Sequence, residues 1–233
     1  MSKKKVPWEE YIDKISDMLD TLTDSQRSEL LEHISVVRYK KNDVIYREGD
    51  LPTNLLCLIS GKVKIYKEGV GGRLQIMRVV GETEYFAYRA YMAGEPFITA
   101  AAAFEPCTVL KVPLGIIIKM IQENAALGWF FIQRLAQDLG QSDERTVNLT
   151  QKHIRGRLAE SLLFLKDSYG LEEDGCTLSI YLSREDLANL SNMTTANAIR
   201  TLSAFAGEKL VATDGRKIKI LDAQGLERIS KIG

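Results

Sequence analysis

The chain has 233 residues, 45% hydrophobic and 27% charged, with 31 Lys and Arg balanced by 31 Asp and Glu. That profile belongs to a soluble globular chain of one large or two ordinary domains, and it excludes a disordered, low-complexity chain. A formal net charge of zero means that any surface for nucleic acid arises from local placement of basic residues.

The opening MSKKKVPWEEYIDKI is basic, then acidic and amphipathic. It lacks the apolar core and small-residue cleavage site of a signal peptide. The longest apolar runs, such as LGIIIKMI at 114–121, are too short to cross a bilayer. Cytoplasm is the expected compartment, with no membrane partner. Residues 8–34 carry helical apolar spacing through Trp8, Tyr11, Ile12, Ile15, Met18, Leu19 and Leu22, then a second short helix from Asp24 or Ser25 through Leu31.

From Val36 to Pro113 short alternating runs (VIYREGD, LLCLISGKVKIYKE, RLQIMRVV, CTVLKVP) are separated by Gly, Asp, Asn and Pro. Closely spaced strands of this kind predict an all-β barrel or sandwich. Gly49-Asp50, Gly61 and Gly71-Gly72 are its natural turns, because glycine accepts positive φ. After Pro113 the pattern returns to helix, first over 114–123 and then over about 125–149. In the long segment Ile132, Leu135, Leu139, Ser142, Thr146 and Leu149 keep spacings of three and four. Such a seam fits either a helix packed on its own barrel or a dimer helix; the dimer helix is favoured, because a long seam joining two domains has few neighbours of its own.

Residues 151–169 predict another amphipathic helix, followed by a GLEEDG loop and a TLSIYL strand. In LSREDLANLSNMTTANAIRTL (182–202), Ser183 caps one helix and Thr194 a second, with SNM as the turn between them. LVATDGRKIKIL then reads as a hairpin turning at Asp214-Gly215. Helix, strand, two helices and a hairpin make a winged helix-turn-helix. In that motif the start of the second helix enters the major groove, here Thr194, Thr195, Ala196, Asn197 and, one turn on, Arg200. Arg184 and Lys217 lie on the neighbouring helix start and hairpin. A helical hairpin with its polar mouth in water would share the two-helix pattern. The hairpin's Arg216, Lys217 and Lys219 and the cluster Lys152, His153, Arg155 and Arg157 favour DNA. Over 151–233 twelve Lys and Arg face eleven Asp and Glu, so position matters and not excess.

Enzymatic chemistry finds no foothold. Cys57, Cys107 and Cys176 are isolated, without the spacing of a disulfide framework, zinc site or cluster. His33 and His153 form no pair, and no nucleophile–base set or phosphate loop can be picked out. No cofactor and no metal are expected.

Across nearly its full length the chain resembles the Crp/Fnr family of bacterial transcription regulators. The resemblance rests on VIYREGD with LLCLISGKVKIY, on GE…FAYRAYMAGEPFITAAAAFEPCTVLKVP, and on LSREDLANLSNMTTANAIRTLSAFAGEKLVATDGRKIKIL. It implies an α+β protein in three parts. Residues 1–124 would hold N-terminal helices and a double-stranded β-helix (jelly-roll) barrel like that of cyclic-nucleotide-binding domains. Residues 125–150 would be a dimerisation helix bearing Ile132, Leu135, Leu139 and Leu149. Residues 151–233 would be a winged helix-turn-helix domain that binds DNA. The implied partners are a second copy of the chain, a two-fold DNA operator, RNA polymerase and a small-molecule effector.

Two departures qualify that expectation. Cyclic-AMP-binding members carry a Glu for the ribose and, ten residues on, an Arg-Ser pair for the phosphate; counted from FAY, these fall on Tyr88, Ile98 and Thr99. Isoleucine cannot neutralise a phosphate, and Arg89 stands one residue from the first position. A protein independent of cyclic AMP is expected, with any other effector near Tyr88, Arg89, Ile98 and Thr99. In the second helix the family pattern Gly-x-Ser-Arg-Glu-Thr-Val-x-Arg becomes Asn192-Met193-Thr194-Thr195-Ala196-Asn197-Ala198-Ile199-Arg200. Arg200 is retained, Asn192 suits the left-handed turn, and the Arg-Glu pair is replaced by Thr195-Ala196, so a different operator is expected. A sensor whose winged domain binds protein is the alternative, separable by the salt dependence of DNA binding.

Overall fold

The sequence NLLCLIS contains five successive apolar residues, a pattern that suits a strand buried on both faces. The computed structural model, which describes residues 9–69 and 72–232, places it at the centre of a sheet. Trp8 and Gly71, named above as helix and turn residues, lie outside the described residues. In chain order a 3-10 helix (Glu9–Ile15) leads into α1 (Ser16–Leu19) and α2 (Asp24–Glu32). Then come β1 (Ser35–Tyr39), β2 (Val44–Tyr46), β3 (Asn54–Ser60), β4 (Val63–Glu68), β5 (Leu74–Val80) and β6 (Tyr85–Phe86). The short α3 (Arg89–Met92) precedes β7 (Ala100–Ala103) and β8 (Cys107–Pro113), which end the barrel. Helices α4 (Leu114–Glu123), α5 (Ala125–Gln151), α6 (Ile154–Tyr169), α7 (Arg184–Leu190) and α8 (Thr195–Gly207) follow. The chain closes with β9 (Val211–Asp214), β10 (Lys217–Ile220) and α9 (Ala223–Ile232).

The chain divides into two compact units, residues 1–67 with 77–139 and residues 68–76 with 140–233. The strands β1-β8-β3-β6 form one antiparallel sheet and β2-β7-β4-β5 the other. Between the sheets lie Leu56, Leu58, Phe86 and Val109 from the first, and Tyr46, Val63, Val80, Ala101 and Ala103 from the second. The alternate residues of β3, Leu55, Cys57 and Ile59, point the other way into a second core with Ile15, Met18, Leu30, Ile117, Leu127 and Phe131. Each such side chain contributes about 1.5–3 kcal/mol by leaving water. Gly61 is required: its φ is +83° and a Cβ there would stand 2.3 Å from the Pro106 carbonyl oxygen.

The second unit contains α6, α7, α8 and the β9–β10 hairpin, registered Lys217 to Asp214 and Ile220 to Val211. The expected TLSIYL strand does not form as a regular element. Only isolated bridges, Thr177 to Lys219 and Leu171 to Leu178, tie it to its neighbours. Asp174 explains the shape: its carboxylate accepts from Thr177 Oγ1 at 2.6 Å and from the Cys176 and Thr177 amides, coiling the chain just before the bridge. These bonds, the Thr177 hydroxyl first, hold the carboxyl well below the usual range. Helix α9 was not foreseen from the sequence, although Leu226 is fully buried.

Candidate nucleic-acid interface

Helix α8 begins where the sequence places it. Thr194 takes an extended backbone and its hydroxyl accepts from the Asn197 amide at 3.2 Å. On the preceding helix the Ser183 hydroxyl accepts from the Asp186 amide at 3.0 Å and donates to the Asp186 carboxylate at 2.7 Å. Asn192 has φ +50°, the left-handed geometry expected of the turn. Met193 is buried beneath that turn, and Ala198, Leu202 and Phe205 bury the inner face of α8.

The outer face is a short polar strip. Thr194, Thr195, Ala196, Ile199 and Arg200 are exposed and Asn197 is half-buried. Arg200 donates to the Asn197 side-chain oxygen at 2.6 Å, so the guanidinium is already oriented on its own helix. A planar fork held this way suits the O6 and N7 acceptors of guanine, and Thr195 and Ala196 suit a thymine methyl.

The other basic residues divide by what they touch. Arg184 donates to the Gly215 carbonyl at 2.8 Å, fixing the turn of the β9–β10 wing to the start of α7. Lys217 stands over the Tyr181 ring and 3.7 Å from Glu172, while Arg216 is exposed at the wing turn. The cluster at the start of α6 is engaged within the unit. Arg155 makes a two-pronged pair with Glu208 at 2.7 and 2.8 Å, and Arg157 donates to the Leu149 carbonyl. Lys152 pairs with Glu160 at 3.1 Å. Arg200 on α8 and Arg216 at the wing turn are exposed, while Arg155, Arg157 and Lys152 are engaged within the unit. Replacing Arg184 with Ala should loosen the wing and weaken duplex binding about ten- to a hundredfold, the worth of one hydrogen bond from a charged group, in a fluorescence-anisotropy titration; unchanged affinity would remove the wing from the interface.

The four candidate effector residues do not meet at one point. Tyr88 is buried, donates to Asp138 at 3.3 Å and packs its ring on Phe131; burial and the Asp138 carboxylate push its phenol up. Arg89 is exposed and paired with Glu95 at 3.3 Å. Ile98 is 52% exposed. Thr99 hydrogen-bonds Tyr46, whose phenol burial pushes up to about 12. Tyr46 and Phe97 stack with ring centroids 3.9 Å apart between the sheets. Arg78, missed in the sequence, is a more buried cation than Arg89. It bridges Glu84 at 3.2 Å and Asp138 at 2.9 Å. Burial works against its charge, but the two carboxylates outweigh it and raise its pKa. Cys57 and Cys107 are driven by burial up to about 12 and about 11, so neither is a reactive thiolate. Among the described residues no His, Cys, Asp or Glu cluster could hold a metal ion, and no helix is long and apolar enough to cross a membrane.

On α5 the seam residues separate. Leu135 packs on the first unit's core and Leu149 is half-buried, while Ile132 and Leu139 are exposed. Trp129 and Val147 join them on the exposed side.

Residues 36–124 match the cyclic nucleotide-binding domain family and residues 156–229 the Crp-like helix-turn-helix domain family. A CRP-like cAMP-activated global transcriptional regulator of Mycobacterium tuberculosis is 22% identical over 85% of this chain and 89% of its own. The anaerobic regulatory protein of Bacillus subtilis is 26% identical over 83% of this chain and 82% of its own. The structure of FixK2 from Bradyrhizobium japonicum, 21% identical, superposes with a TM-score of 0.76 over 84% of this chain and 96% of its own, and shows the shared fold. A cyclic-nucleotide-binding fold followed by a Crp-like helix-turn-helix defines a DNA-binding regulator by class. The chain belongs to the Crp/Fnr family of transcription regulators.

Proposed function

We propose that the chain works as a homodimer that reads a two-fold operator with α8, does not require cyclic AMP, and answers to a different small effector or to none. The observation that carries this reading is the exposed α8 strip of Thr194, Thr195, Ala196, Ile199 and Arg200, with Arg200 pre-oriented by Asn197. Independence from cyclic AMP is supported by Ile98 and Thr99 at the expected phosphate positions and by the Tyr46–Phe97 stack between the sheets. Arg78 is engaged by two carboxylates, so an incoming phosphate would have to displace them. RNA polymerase is the partner through which a bound dimer would act on transcription.

The test is selection of duplexes from a random pool with the full chain, followed by anisotropy titration with and without cyclic AMP. The expected result is a palindromic sequence bound with an affinity that falls steeply as salt rises, through counterion release, and that cyclic AMP leaves unchanged. Calorimetry giving a cyclic-AMP Kd of micromolar or tighter would overturn the independence, and a pool with no enriched sequence would overturn the DNA reading.

A further inference from the structure

Within the second unit, residues 72–76 lie against the helix-turn-helix. A helix leaves its last carbonyls without intrahelical donors. At the end of α7, Leu187 O accepts from the Ser191 amide and Ala188 O from the Met193 amide. The remaining two are served from elsewhere. Gln75 Nε2 donates to Asn189 O at 2.9 Å, and Arg145 Nη2 donates to Leu190 O at 3.0 Å and to Ile76 O at 2.7 Å. Arg73 Nη2 donates to the Asn192 side-chain oxygen at 2.5 Å, on the turn that sets the entry to α8. A cation and amides at this terminus also meet the negative end of the helix dipole. Burial lowers the Arg145 pKa, with the nearby Glu160 carboxylate acting in the opposite direction.

The same segment closes one side of a cavity of about 420 Å³ lined by Glu68, Arg73 and Leu74 opposite Asn189, Thr194 and Thr195. A recognition helix works by inserting its first turn between two phosphate backbones. Residues 72–74 line that cavity beside the first turn of α8, and Glu68 adds a carboxylate to the same wall.

We propose that Arg73, Gln75 and Arg145 form a latch that holds residues 72–76 beside the first turn of α8, so that the reading strip is exposed to solvent but a duplex backbone cannot close over that flank, and release of the segment opens the flank to DNA. This rests on the reading of α8 as the DNA-binding helix. It gives the family's general scheme, a regulator that is switched, a named mechanical element in this chain. A ligand or partner that favours the released segment raises operator affinity by the fraction of molecules it unlatches.

The decisive variant is Gln75→Ala in the full chain, because it removes one latch bond without changing charge. Its affinity for the selected duplex should rise about two- to tenfold, the worth of one hydrogen bond, with base preference and salt slope unchanged. Arg73→Ala with Gln75→Ala should give a larger rise, and amide hydrogen exchange over 189–197 in the free protein should accelerate. Unchanged or weakened duplex affinity in Gln75→Ala, or unchanged exchange over 189–197, overturns the latch. If neither wild type nor variant binds any duplex while exchange still accelerates, the docked segment stands and it is the DNA reading that has failed.

Discussion

Leu139→Asp should convert a dimer to a monomer in sedimentation equilibrium and cut affinity for a two-fold duplex at least about a hundredfold. Helix α5 spans 27 residues, about 40 Å at 1.5 Å per residue. Trp129, Ile132, Leu139 and Val147 are 58%, 55%, 63% and 49% exposed, and at about 100° per residue they fall within roughly 80° of one another. Leu127 and Phe131 are buried on the opposite side, in the core of the first unit. Exposed Asp143 interrupts this face between Leu139 and Val147, so the apolar row is densest over 129–139. Exposed apolar side chains grouped in this way suit an interface, and a two-fold contact of the face with itself is the simplest closed solution on one long helix. The substitution would bring an unpaired carboxylate from each protomer into that contact, a cost that association does not recover. The loss in DNA affinity follows because two linked half-site contacts exceed either one by about 10²–10⁴. Since Leu139 is exposed in the single chain, the variant should keep the fold by circular dichroism. A Leu139→Asp protein that stays dimeric would move the dimer contact off this face.

The barrel was legible because its strands carry their own punctuation. The run through β3 and the turns at Gly49 and Gly61 state local requirements, of two-sided burial and of positive φ, that only a few residues satisfy. The helix-turn-helix was legible for the same reason, since Ser183, Asn192 and Thr194 each solve a backbone problem in place. What the sequence hid was long-range. Nothing near Arg78 announces Asp138, sixty residues away, and nothing in RLQIM announces the Asn189 carbonyl that Gln75 reaches or the Arg145 guanidinium that reaches Ile76. The basic cluster at 152–157 hid its partners in the same way. Its charges look free in a linear reading, but the fold matches them to Glu160, Glu208 and the Leu149 carbonyl. On α5 the spacing alone admits several seams, and only burial separates Leu135, turned to its own core, from Trp129, turned to solvent.

Arg200→Ala is expected to weaken binding to the selected duplex by about 1–3 kcal/mol and to flatten preference at one base pair per half-site. Arg200 is the only Arg or Lys on α8, so no neighbour on that helix can take its place. Its bond to Asn197 holds the guanidinium along the exposed face at little further entropic cost on binding. Loss of a bidentate base contact differs from loss of a phosphate contact in a measurable way. The first relaxes sequence preference and leaves the salt slope nearly unchanged; the second weakens all sequences alike and lowers the slope by about one. Anisotropy titrations of the selected duplex and of single-substitution duplexes at three salt concentrations separate the two. Asn197→Ala should fall between wild type and Arg200→Ala, because it removes the support and leaves the reader. Uniform weakening across all duplexes would recast Arg200 as a phosphate contact and shift sequence reading to Thr195, Ala196 and Ile199. Equal affinity in wild type and Arg200→Ala would take α8's basic residue out of recognition altogether.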